Sequence, residues 1–274
     1  MEYPQPHLSH VWPTHLDELE SELVEAESCG SSITPTCRSF DDTVDRLLTE
    51  IGYRGNPYFE ALRARRFDRE DFVETQIAFT HQVAFFNRAM MIAASRIAIP
   101  ERRWPAVGNV LDEHHGGDVA RSHHYTIREL VRRVAGDDDI DIDGRAAWPE
   151  VQQNVTTMLG MVDKGYNFGL AGMAMIERMF AEISDWIAQG IITNGWLTED
   201  RLIHYNLHAT LDTRHAEELF EVLREDWSKG PEWRYYIEQG LWLGGWSFNT
   251  LWLGLWQARK RRIMRDTRVS HISW

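Results

Sequence analysis

The chain has 274 residues, 43% of them hydrophobic, enough to bury the core of one large domain, and its 29 basic against 42 acidic residues leave a net charge of −13. That charge repels phosphate backbones and anionic membrane surfaces, so neither nucleic acid nor membrane is expected as a partner. The only two cysteines, Cys29 and Cys37, lie in a Ser/Thr/Pro-containing stretch and make poor thiolate ligands, and Met1 to Pro13 holds no apolar leader. A cytoplasmic location is expected.

Residues 1–38 carry four of the nine prolines and an acidic patch from Asp17 to Glu27. They read as a peripheral arm ahead of a domain over 39–274. From Ser39 the apolar spacing is helical, with breaks at Gly52 to Pro57, at Pro100 and Pro105, across the acidic loop Gly136 to Gly144, at Gly190 to Gly195 and at Gly230-Pro231. Six or seven helices are expected. No stretch alternates like a half-buried strand, so the fold class is all-α, a bundle whose helices project side chains into a shared interior.

A helix is expected over Phe72 to Ile97, with Gln76, His81, Asn87 and Arg88 set among apolar residues. Beyond it, four histidines and three acids fall within the thirteen residues from Asp112 to His124. Glu113 and His123 lie ten apart, roughly 80° around an ideal helix. They share one site only if the chain between them is overwound or bulged, which Gly116-Gly117 permits. His114, His115 and His124 are expected at the surface, although the choice between His123 and His124 stays open.

In the apolar run Gly169 to Phe180 a single carboxylate, Glu177, follows eight uncharged residues. Burying it alone would cost several kcal/mol, so it needs a cation, a proton or an arginine such as Arg178, unless the helix is rotated to put it in water. A further helix, from about Glu199 to Trp227, carries His208, Asp212 and His215. Offsets of four and seven residues turn through about 400° and 700°, which puts two imidazoles and a carboxylate on one face. A solvated polar face would look the same, but this one continues through Leu211, Leu219 and Leu223. The last apolar run, Gly240 to Trp256, falls short of the roughly 20 residues that span a bilayer and reads as a core helix. Twelve tryptophans, clustered in the C-terminal third, are expected mainly to fill the core.

Three carboxylates with three imidazoles is the ligand inventory for two non-haem irons. Oxygen and nitrogen donors without thiolate suit iron or manganese, and six ligands exceed what one zinc needs.

The segment Glu113 to His123, the lone Glu177 and the stretch His208 to Ala216, separated by 54 and 31 residues, resemble the heme-oxygenase-like diiron oxidases. These are related in fold to thiaminase-like and pyrroloquinoline-quinone-C-like proteins, and the resemblance covers about residues 57–225. It implies a seven-helix heme-oxygenase-like bundle holding two Fe(II)/Fe(III) ions, with Glu113, Glu177 and His208 on one iron and His123, Asp212 and His215 on the other. O2 as cosubstrate, an external reductant and a possible homodimer come with it.

Members of that family either break an unactivated C–H bond, giving desaturation, C–C cleavage or cyclisation, or oxygenate an amine nitrogen. N-oxygenating members carry an extra carboxylate on the helix before the glutamate motif. Here that position falls on Phe86, Asn87 or Arg88, with no acid, although Glu74 earlier on the helix is a possible seventh ligand. The resemblance therefore implies C–H chemistry on a small carboxylate, an amino acid above all, in natural-product biosynthesis. Arg88 is a candidate carboxylate clamp, because a guanidinium matches a carboxylate bidentately, with His81 and Asn87 as further substrate contacts. Two alternatives remain: a diiron N-oxygenase, and a metal-free relative acting as a cofactorless enzyme or binding protein.

Overall fold

The computed structural model describes residues 38–261. The expected arm, with both cysteines, falls outside them apart from its last residue. Among the described residues there are nine α-helices and no strand: α1 (Phe40–Ile51), α2 (Pro57–Arg63), α3 (Arg69–Ser95), α4 (Pro100–Glu113), α5 (His123–Ala135), α6 (Pro149–Lys164), α7 (Tyr166–Thr193), α8 (Tyr205–Trp227) and α9 (Pro231–Ala258).

Local chemistry explains most of the boundaries. Asn56 caps α2 by accepting from the Tyr58 N–H, with Pro57 at the first helical position. Asp68 caps α3 by accepting from the N–H groups of Glu70 and Asp71. Gly136, at φ 69°, ends α5 in the left-handed region. Three boundaries differ from expectation. Pro105 lies inside α4, where it forfeits one helical hydrogen bond without ending the helix. Gly165 separates α6 from α7, a break not among those expected from the sequence. The helix expected from about Glu199 starts only at Tyr205, after a separate 3-10 turn at Glu199–Arg201.

Burial organises these helices around α7, which packs along α8 and α9 and also meets α2, α3 and α6, while α3 packs on α4, α5 and α6. α1 shows the simplest pattern, burying Phe40, Thr43, Val44, Leu47, Leu48 and Ile51 on one stripe. α7 and α9 approach closely enough that a Cβ on Gly244 would stand 2.2 Å from the Gly172 carbonyl oxygen. The fully buried Trp252 of α9 is an aromatic hub, its ring centroid 4.6 Å from that of Phe79, 5.0 Å from Tyr58 and 5.2 Å from Phe59. Thus Gly240 to Trp256 belongs to a core helix, and no described helix is long and apolar enough to cross a membrane.

Candidate metal centre

α4, α5, α7 and α8 bring six ionisable side chains together in the interior. Glu113, His123, Glu177, His208, Asp212 and His215 are all buried, none more than 3% exposed. They form two triplets whose donor atoms lie within 4.8 Å of one another: Glu113, His123 and His208 in one, and Glu177, Asp212 and His215 in the other. The division differs from the one the resemblance implied, with His123 and Glu177 exchanging places. The connection between α4 and α5 accounts for His123. Two 3-10 turns, His115–Gly117 and Val119–Arg121, with Gly116 at φ 63° and Gly117 at φ 102°, overwind the chain so that His123 opens α5 beside Glu113. His123 Nδ1 is then 2.9 Å from Glu113 Oε1. Glu177, midway along α7, faces α8 further down, 3.8 Å from His215 Nδ1.

Asp212 stands between the triplets. His208 Nδ1 is 2.9 Å from both of its oxygens, and its Oδ1 is 3.9 Å from His215 Nδ1. With Nδ1 as donor to Asp212, His208 keeps its lone pair on Nε2, and that buried atom has no hydrogen-bond partner. His215 is oriented the other way round. Its Nε2 meets Asp112 Oδ2 at 3.0 Å, so the inward atom is Nδ1, which is also buried and unpartnered. His123 Nδ1, although close to Glu113, makes no hydrogen bond either. Each imidazole thus presents a bare nitrogen to a carboxylate-lined interior.

Electrostatics point the same way. Burial would push the Glu113 carboxyl up, but the imidazoles of His123, His208 and His215 hold it below the ordinary carboxylate range. Glu177 is pushed well above that range by burial and by the neighbouring Asp212 and Glu113 carboxylates; Asp212 is raised by burial and by Glu113. Burial lowers His208 and His215. Three carboxylates in one dry volume repel each other, and a multivalent cation is the partner that lets all of them ionise. The donor set of three carboxylates and three imidazoles, with three unpartnered buried nitrogens, fits two iron ions.

The remaining sequence candidates lie elsewhere. Glu74 is buried but pairs with Arg145 at 3.5 Å, outside both triplets. His124 contacts Arg128, and burial together with that guanidinium pushes it down to about 4. His114 bonds the Val110 carbonyl at 2.7 Å, and His115 is half-buried in the 3-10 turn. Arg88 is exposed, its guanidinium 4.8 Å above the Phe85 ring. His81 meets the Arg145 carbonyl at 3.1 Å and lines a separate groove with Val151 and Leu159. Asn87 does reach the centre, its Nδ2 donating to Glu113 Oε2 at 3.5 Å.

Four supporting residues were not anticipated. Asn109, one turn before Glu113 on α4, donates to Glu177 Oε1 at 2.5 Å. Asp112 orients His215 and also receives Arg214 at 2.5 Å. His204 is fully buried at φ 74°, ψ −78°, a strained γ-turn geometry, with its ring 4.4 Å from that of His208 and its Nδ1 3.0 Å from Thr126 Oγ1. Thr126 in turn donates to the His123 carbonyl, so the pair ties together the starts of α5 and α8. The signal for His204 is in the sequence: it precedes His208 by the same four-residue step that separates His208 from Asp212. The fourth is Gln82, in the wall of the adjoining cavity.

That cavity is small and lies next to Glu113, Glu177 and His208. The rest of its lining is Phe79, Gln82, Val83, Phe86, Ile176, Phe180 and Phe248. Phenylalanine makes its aromatic wall, and no lysine, arginine or tryptophan is among these residues.

A family model described as "Iron-containing redox enzyme" matches residues 74–243. Among solved structures, a TenA homologue from P. horikoshii superposes with a TM-score of 0.60 at 15% identity, covering 80% of this chain and 99% of that one. A TenA family transcription regulator from Silicibacter gives 0.58 at 16% identity, covering 79% and 96%. A CADD-like protein of unknown function from Nostoc punctiforme gives 0.55 at 14% identity, covering 90% and 99%. No curated protein matches the chain. The structural matches establish a heme-oxygenase-like, TenA-like all-α fold.

Proposed function

The chain belongs to the family of iron-containing redox enzymes, and on that premise we propose that it is an O2-dependent non-haem diiron oxidase that breaks an unactivated C–H bond of a small carboxylate. The observation that carries this reading is the pair of buried carboxylate and imidazole triplets bordering one apolar cavity. Glu113, His123 and His208 would hold one iron, and Glu177, Asp212 and His215 the other. When bound, the two ions supply the electrons that activate O2, replenished by an external reductant.

The protein's own part is holding and excluding. Asn109 fixes Glu177 and Asp112 fixes His215, so both ligands keep one orientation. The four phenylalanines keep water from the cavity and press the apolar part of a substrate toward the metal side. Two divalent ions against three carboxylates leave one net positive charge beside a cavity whose lining includes no lysine or arginine. A substrate carboxylate bound at the metals neutralises it, with no role for the exposed Arg88.

The N-oxygenase alternative calls for an extra acid on α3. Asn87, a neutral amide, stands against Glu113 there, and Glu74 is engaged with Arg145. The test is aerobic mixing of the Fe(II)-loaded protein with a panel of amino acids and fatty acids, watched for a substrate-dependent transient visible absorption. Products that lose hydrogen or carbon support the proposal, and oxygen gained on nitrogen supports the alternative. Protein that takes up no iron refutes both.

A further inference from the structure

The cavity wall contains one polar side chain that is not assigned to the metals. Gln82 of α3 is only 2% exposed and lines the cavity between Phe79 and Phe86. Its Nε2 donates to Met158 Sδ of α6 at 3.4 Å, while its Oε1 is buried with no hydrogen-bond partner among the described residues. The amide orientation follows from chemistry: a thioether accepts weakly and donates nothing, so the NH2 end belongs toward Met158. The orphan is therefore a carbonyl oxygen, an acceptor. A buried acceptor without a partner is unfavourable, and a bound donor would recover that cost.

We propose that Gln82 is the specificity-determining residue of this cavity, its side-chain carbonyl accepting a hydrogen bond from an N–H or O–H group on the substrate. This rests on the diiron reading, because the cavity is a substrate site by virtue of its position beside the metal ligands. It narrows that reading from any small carboxylate to one bearing a hydroxyl or amino group. A site built around a buried acceptor rejects analogues lacking the donor far more strongly than an apolar wall rejects a missing methylene.

The test compares wild type with Gln82→Met, which removes the acceptor at nearly constant volume. Both proteins are first titrated with Co(II); two equivalents are expected in each, since Gln82 is outside both triplets. Binding of hexanoate, 2-hydroxyhexanoate, 6-hydroxyhexanoate and 2-aminohexanoate to the Co(II)-loaded proteins is then measured calorimetrically. Wild type should bind at least one donor-bearing acid about tenfold more tightly than hexanoate, the value of one well-made hydrogen bond. Gln82→Met should erase that preference while leaving hexanoate within about twofold, which also certifies an intact cavity. A preference that survives Gln82→Met overturns the inference. So does a wild type with no preference, as expected if a buried water holds the carbonyl, or one that binds none of the four acids. Failure to take up cobalt refutes the diiron reading instead, and the same four-ligand comparison on metal-free protein then decides the role of Gln82.

Discussion

Replacing Asp112 with alanine removes the side chain that, among the described residues, contacts the outward nitrogen of His215. In the native protein His215 Nε2 lies 3.0 Å from Asp112 Oδ2, which fixes the tautomer and aims Nδ1 at Glu177 and Asp212. Loss of such an outer partner costs 10–100-fold in metal affinity in characterised sites. The Asp112 side chain is 40% exposed and is shared with Arg214, so water takes over part of its role. The expected loss is therefore at the low end, about tenfold, equivalent to ~1.4 kcal/mol. It should fall on one site alone, because Asp112 touches neither His123 nor His208. Two-site Co(II) titration of wild type and Asp112→Ala, with far-ultraviolet circular dichroism to confirm the fold, gives the answer. Equal weakening at both sites, or no weakening at either, would refute the argument and with it the division of the six ligands.

His208→Ala and Asp212→Ala should each abolish turnover and lower iron stoichiometry while leaving helicity intact; retained activity in both would rule out the assignment. Gly244→Ala should destabilise the fold by about 1–3 kcal/mol in urea melts, since the new methyl meets the Gly172 backbone and forces α7 and α9 apart. Arg102→Leu should cost about 2 kcal/mol: it strips Asp226, which is fully buried, of a 2.7 Å ion pair, but Tyr166 and Lys229 still contact that carboxylate. His204→Asn, which removes the imidazole packed on His208, should weaken Co(II) binding at the site containing His123 and His208 more than at the other, with circular dichroism confirming that the helices persist.

The fold class was legible from periodicity, and the six converging side chains from that periodicity taken together with the family resemblance. Glu177 shows what the sequence carries: eight uncharged residues ahead of it mean that, if buried, it needs a partner. The pairing of ligands was not legible. It depends on the two 3-10 turns after Glu113, and the glycines announced only that some distortion was permitted there, not its direction. Arg88 illustrates the limit for substrate contacts. One residue beyond buried Asn87 it points to solvent, and helical position alone does not say which of the two faces the interior. Asn109 and Gln82 escaped notice because a neutral amide carries no charge to balance, and only a neighbour within hydrogen-bonding reach reveals its task.

The two halves of the centre are anchored differently along their helices. Glu113 is the last residue of α4, His123 the first of α5, and His208 sits in the opening turn of α8, just after the strained His204. Glu177, Asp212 and His215 come from helix interiors. Helix ends fray at far lower free energy than their middles. If the proposed diiron centre forms, gentle heating or mild denaturant is therefore expected to unfasten the first set while the second still grips, so that the two ions leave in separate steps.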